Sequence, residues 1–63
     1  MTLKQIRAAL RSEQVADRSR AILELLKVDT EREAYRVALT SLPELTLDVW
    51  GDWVTTAREG NQS

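Results

Sequence analysis

The segment ILELLKVDTERE, residues 22–33, decides how this chain folds because it ends one helix and begins another within a few residues. Its first five residues include four apolar ones. A helix with that pattern is apolar around most of its circumference, which is typical of a helix buried on more than one side. The second half predicts a helix start, with Thr30 as N-cap, Glu33 reaching back to it, and acidic side chains in the first turn. The segment therefore predicts two helices that meet near residue 29.

Upstream of this segment, the pair Thr2 and Gln5 predicts a capping box that opens a first helix. The spacing of the apolar residues places one face of that helix on Leu3, Ile6 and Leu10. The same face continued further would bury Glu13 and Asp17. We therefore expect the helix to break near Ser12, with Ser12 as the cap of a second helix that ends near Val28. A single helix over residues 2–28, with its buried face shifted, is the alternative.

Downstream, a third helix is expected to begin at about residue 31 and to stop before Pro43, because a residue that precedes proline is pushed out of helical geometry. Its predicted apolar positions are Ala34, Tyr35, Val37, Ala38, Leu39 and Leu42. A fourth helix is expected after Thr46 as cap, with Leu45 packing on Trp50. Its predicted apolar positions are Leu47, Trp50, Trp53, Val54 and Ala57. Gly60 is a plausible stop.

The chain has 63 residues with only two glycines and one proline, and it lacks clusters of β-branched residues. Local preference therefore favours helix nearly everywhere. The expected fold is all-α, a compact bundle of three to four short helices. We expect a single helical domain over residues 1–59 and a flexible C-terminal tail over residues 60–63.

The composition argues against an enzyme, since cysteine and histidine are both absent. The commonest general base, the commonest metal ligand and the best nucleophile are therefore missing. Asp48 and Asp52 lie four residues apart, but their place near a helix N-terminus explains them better than a bound cation does. No glycine-rich phosphate loop is present. We expect no catalytic activity, no cofactor and no metal.

The expected location is the cytoplasm, with no membrane association. No run approaches the roughly 18 consecutive apolar residues that a membrane span requires. The start of the chain lacks the basic and then apolar layout of a signal peptide.

The charges are unevenly distributed although the net charge is −1. Residues 1–28 carry six cations and three anions, whereas residues 29–63 carry three cations and seven anions. Attraction between the two halves, within one fold or across a dimer, explains this asymmetry most simply. The alternative is nucleic-acid binding by a transcription or nucleoid-associated regulator, through a basic ridge of Lys4, Arg7, Arg11 and Arg18. Against it, no aromatic residue alternates with these cations, and the third helix opens with anions.

The apolar residues exceed what a core of this size is expected to need. The candidates for a protein interface are Leu23, Leu26, Tyr35, Leu39, Trp50 and Trp53. Tryptophan and tyrosine are frequent interface hot spots, although they also fill the cores of small domains. The sequence favours a non-catalytic protein-interaction module, an accessory regulator or inhibitor. It is expected to bind a protein partner, to self-associate as a homodimer, or both, through the second and fourth helices.

One short stretch resembles the second-helix region of the Hha/YmoA type of small helical gene-expression modulators. The residues that carry the likeness are Leu10, Arg11, Gln14, Asp17, Ile22, Leu23 and Glu24, and Val49-Trp50 is similar to that family's terminal helix. The third helix is several residues shorter than in the family pattern. The resemblance implies an accessory regulator that binds nucleoid-organising proteins.

Overall fold

The computed structural model describes the backbone of residues 1–62 and the side chains of residues 1–60. It contains four helices: α1 (Leu3–Leu10), α2 (Val15–Val28), α3 (Glu31–Ser41) and α4 (Leu47–Gln62). Within residues 1–62 there is no strand. The predicted all-α class is therefore confirmed. Helix α4 includes Gly60, so the stop predicted there is wrong, and the rest of the predicted tail lies outside the residues described in full.

The helix starts predicted at the three threonine caps are confirmed. The Thr2 Oγ1 accepts from the Gln5 backbone N–H at 3.2 Å, and the Thr2 backbone N–H donates to Gln5 Oε1 at 2.9 Å. The Thr30 Oγ1 accepts from the Glu33 backbone N–H at 3.3 Å. The Glu33 carboxylate, however, lies 3.6 Å from Arg36 Nη1, one turn along the helix. At the start of α4, the Thr46 Oγ1 accepts from the Val49 backbone N–H at 3.3 Å.

Residues 2–28 form two helices rather than one, as the first of the two alternatives predicted. Ser12, however, is not the N-cap of α2. The Ser12 backbone N–H still donates to the Ala9 carbonyl oxygen at 3.0 Å, so this residue continues the last turn of α1. Its hydroxyl accepts from the Gln14 backbone N–H and donates to Asp17 Oδ2, each at 3.1 Å. Ser12 therefore shapes the turn, and α2 begins three residues later, at Val15.

Helix α2 is the centre of the bundle, since it contacts each of the other three helices. Its most buried residues are Ala21, Ile22 and Leu25. The rest of the core consists of Ile6, Leu10, Ala34, Ala38, Leu45, Trp50, Val54 and Ala57. Each helix, together with the loop before α4, contributes one narrow apolar side, which gives the short chain a single continuous core.

Trp50 fills the space between α4 and α3. Its ring centroid lies 6.0 Å from that of Tyr35, with the two rings tilted by 41°. The Tyr35 hydroxyl donates to the Leu45 carbonyl oxygen at 3.0 Å, which ties α3 to the loop before α4. Two residues expected on the buried faces are instead exposed, Leu3 at 49% and Leu47 at 66%. Each is the first residue of its helix, and the neighbouring helices do not cover that end.

We expect the Thr30→Ala substitution to lower the free energy of unfolding by roughly 0.5–2 kcal/mol, because an N-terminal amide of α3 loses its partner. Urea denaturation followed by circular dichroism measures the change. Thr40→Ala is the matched control, because the exposed Thr40 hydroxyl donates only to the Val37 carbonyl of its own helix. Equal effects of the two substitutions would contradict the capping role.

Ser41 is buried, and its hydroxyl has no hydrogen-bond partner among residues 1–60. Burial of an unpaired hydroxyl costs free energy. Ser41→Ala is therefore expected to leave the free energy of unfolding unchanged or to raise it by up to about 1 kcal/mol. Ser12→Ala, which removes a hydroxyl with two hydrogen bonds, is expected to lower it. A large loss of stability for Ser41→Ala would refute this assignment.

Candidate interaction surfaces

Helix α2 carries a second apolar side that faces away from its core residues. Its members recur with spacings of three, four and three residues, which places them on one face of a helix. We call this set the outer stripe of α2: Ala16, Ser19, Leu23 and Leu26. Ala16 is exposed, and the other three are half-buried.

The outer stripe lines an open groove between α2 and the C-terminal half of α4, with a volume of about 790 Å³. Val15 at one end is 51% exposed, and Ala57 of α4 also lines the groove. The charged side chains that border it are Arg20, Glu24, Lys27 and Arg58. An apolar floor with a charged rim is the usual composition of a protein-binding surface.

The charged side chains at the rim differ in how they are held. The Glu24 carboxylate lies 3.4 Å from Lys27 Nζ and 4.0 Å from the N-terminal amine. Arg58 Nη2 lies 2.7 Å from Glu31 Oε1, which joins α4 to the first turn of α3. Arg20 is exposed and has no hydrogen-bond or ion-pair partner within residues 1–60.

Of the six candidate interface residues, two line this groove and four lie elsewhere in the bundle. Leu23 and Leu26 line the groove. Trp50, also expected at an interface, is only 3% exposed and belongs to the core of the single chain. Tyr35 and Leu39 are half-buried on α3 and pack against the core, away from the groove.

Trp53, the remaining candidate, is half-buried beside the outer stripe. The Arg18 guanidinium lies over its ring, with the Arg18 Cζ atom 4.8 Å from the ring centroid. This is a favourable cation–π distance. One face of Trp53 is therefore occupied by the chain itself, which reduces the surface that this ring offers to a partner.

The four cations of the predicted basic ridge do not all lie on one surface. Lys4, Arg7 and Arg11 lie with Leu3 and Ala8 on one exposed side of α1, which we call the basic face of α1. Arg18 is separate, since its Nη1 donates to the Ser12 carbonyl oxygen at 3.2 Å and its guanidinium covers Trp53. The Arg11 Nε donates to the Ser41 carbonyl oxygen at 3.2 Å, at the end of α3. Two of the four cations therefore hold the fold together.

A smaller groove of about 550 Å³ lies between α3 and α4. The exposed Leu47 and the Tyr35–Trp50 ring pair line it, and the ion pair between Arg58 and Glu31 borders it. The ion pair and the ring pair join α3 to α4 across this groove, so both of its walls are held by contacts within the chain.

Among residues 1–60 no three acidic side chains come together as metal ligands. Asp48 and Asp52 are both exposed on α4. None of the helices, as far as they are described, is long and apolar enough to cross a lipid bilayer. Comparison with models of protein families, with curated proteins and with solved structures finds no match for this chain. The likeness to the Hha/YmoA modulators is thus limited to the short stretch given above.

The apolar pattern of the sequence indicates Leu23 and Leu26 as interface candidates but not Ala16 and Ser19, which complete the outer stripe. Small residues give a weak hydrophobic signal, and the serine interrupts the apolar pattern. The spacing of these four residues, offset from the core side of α2, was the signal that could have found them.

Arg11→Ala is expected to lower the free energy of unfolding by about 1 kcal/mol, because the Ser41 carbonyl at the end of α3 loses a charged donor. Arg7→Ala is the matched control, since Arg7 lies one turn earlier on α1 with no partner among residues 1–60. It is expected to change stability much less. Thermal and urea denaturation of both variants compares them, and equal losses would show that the contact contributes nothing.

Proposed function

We propose that this protein is a small non-catalytic interaction module that docks on a protein surface through the groove between α2 and α4. The observation that carries the proposal is the outer stripe of α2. It places Leu23 and Leu26, which pack at the edge of the core and are only half-buried, together with the exposed Ala16 along one wall of the groove. Apolar surface gathered in a groove with a charged rim marks a binding site more often than scattered exposed residues do.

Such a module regulates by covering a surface of its partner, so that other molecules cannot bind there, or by joining two partners. Its four short helices provide a rigid support for the groove, because both walls belong to helices that pack on the common core. A binding surface that is already formed loses little conformational entropy when the partner docks. The role expected for the chain is therefore that of an accessory regulator or inhibitor.

Nucleic-acid binding through the basic face of α1 is the competing function. On that face Lys4 and Arg7 have no partner among residues 1–60, and Arg11 is bonded to Ser41. Two free cations neutralise few phosphates, and each contact contributes about one unit to the slope of log K against log salt. The basic face therefore supports weak, salt-sensitive binding at most.

Two alanines offer a matched test of these functions. Ala16 on the outer stripe and Ala8 on the basic face are both exposed and helical, so the same change to glutamate is tolerated similarly by the fold. The tagged chain and both variants are purified from native cells, with and without nuclease. We expect the wild type to retain a protein partner in stoichiometric amount after nuclease treatment. The Ala16→Glu variant is expected to lose this partner, because a charge enters the apolar groove. The Ala8→Glu variant is expected to keep it.

The opposite pattern would refute the proposal. Material that disappears after nuclease or with Ala8→Glu, and persists with Ala16→Glu, identifies nucleic acid as the ligand. Titration of the purified chain into labelled duplex DNA at several salt concentrations provides the second measurement. Melting curves of both variants establish that each is folded.

A further inference from the structure

Beside the outer stripe, α2 carries a row of charges that alternate in sign. The row consists of Asp17, Arg20, Glu24 and Lys27, with spacings of three, four and three residues. It runs parallel to the outer stripe, offset from each of its members by one residue. Asp17, Arg20 and Lys27 are exposed, and Glu24 is half-buried. We call it the charge row of α2.

The charge row is complementary to itself when two copies of α2 meet in antiparallel orientation. About a two-fold axis near Ile22, Asp17 lies opposite Lys27 of the second copy, and Arg20 lies opposite Glu24 of the second copy. The two-fold repeats both pairs, so every charge in the row meets an opposite one. In a parallel pair that meets through the outer stripe, the two-fold places the two charge rows on opposite sides of the contact, where they form no pairs with each other.

The outer stripe fits the same antiparallel arrangement. With a midpoint near Ala21, Ala16 lies opposite Leu26 of the second copy and Ser19 lies opposite Leu23 of the second copy. Each pair combines a small side chain with a large one. Such pairs fill the space between two helices without leaving a cavity, and small residues allow the helix axes to approach closely. The midpoints of the stripe and the row differ by only one residue, so one register satisfies both.

The contacts within a single chain leave this row available. Arg20 has no partner among residues 1–60. Glu24 pairs with Lys27 one turn further along α2 and lies 4.0 Å from the N-terminal amine, and both contacts lie outside the apolar core. Within residues 1–60 the Asp17 carboxylate accepts one hydrogen bond, from the Ser12 hydroxyl. A second copy therefore adds opposite charges without breaking any contact that supports the core.

From this pattern we infer that the occupant of the groove is a second copy of this chain, docked through α2 against α2 in antiparallel orientation about a two-fold axis. A two-fold interface uses the same patch on both chains, so a self-complementary row is the arrangement that it requires. This inference rests on the proposed function, because it names the partner that the groove takes. The dimer covers the outer stripe and forms salt bridges between the copies on each side of the axis.

Charge reversal tests the arrangement through sedimentation equilibrium of the full chain. We expect the wild type to reach twice its 7.2 kDa mass in the micromolar range. Arg20→Glu and Glu24→Arg each place like charges together on both sides of the axis, which is expected to raise the dissociation constant on the order of tenfold or more. An equimolar mixture of the two variants restores both opposite pairs. It is therefore expected to form a heterodimer of nearly wild-type affinity.

Arg36→Glu is the control for a general effect of charge, since Arg36 is exposed on α3 and pairs with Glu33 within that helix. It is expected to leave the dissociation constant unchanged. Circular dichroism melts of all variants establish folding. A wild type that stays monomeric at these concentrations, or folded variants whose mixture gains nothing over the separate samples, would overturn the inference.

The same measurements separate this inference from the proposed function. If the chain is monomeric and another protein is retained through Ala16 after nuclease treatment, the groove still binds a protein and only the second copy is excluded. If the wild type is monomeric and no protein is retained, both proposals fail. If the dimer forms but only the Ala16→Glu variant disrupts it, the stripe is the interface and the antiparallel pairing of charges is wrong.

Discussion

The contact on which the structure depends is the burial of Ile22 and Leu25 of α2 between the other three helices. Both are at most 2% exposed, and they lie at the centre of the single apolar cluster. A domain of this size buries only about 60% of the surface that its unfolded chain exposes, so there is no second core to compensate for a loss here. The positions of the other helices follow from the parts of α2 against which they pack.

The arginines reinforce this arrangement at the ends of helices. Arg11 donates to the last turn of α3, Arg18 to the turn before α2, and Arg58 pairs with the first turn of α3. Arg11 and Arg18 donate to carbonyl oxygens at or just past the C-terminal end of a helix, where backbone carbonyls lack partners within the helix, whereas Arg58 pairs with a side-chain carboxylate. A long cation can thus stabilise a short helix that has too few residues to be stable alone. The same use of arginine leaves few cations for an external ligand.

The position of α2 also connects the fold to the proposed function. A helix at the centre of three others is covered on one side, and its remaining side must either be polar or find a partner. In this chain that side combines the outer stripe with the charge row, a pattern suited to docking and costly to leave in water. The stability of the bundle and the proposed association are therefore expected to be linked, because α2 supplies the core residues and the proposed binding surface.

The sequence by itself determined the starts of α1, α3 and α4 and the end of α3, because these limits depend on local chemistry. The caps at Thr2, Thr30 and Thr46 and the stop before Pro43 involve residues within one turn of each other. Which apolar side chains remain exposed was decided only by the tertiary structure. Trp50 is buried in the core with its ring beside that of Tyr35 on α3, whereas Leu47, three residues earlier and equally apolar in sequence, is 66% exposed. Likewise, nothing local reveals that Arg11 reaches Ser41, thirty residues away in the chain. Burial and long-range contacts depend on how the helices cross, and that geometry is a property of the whole bundle.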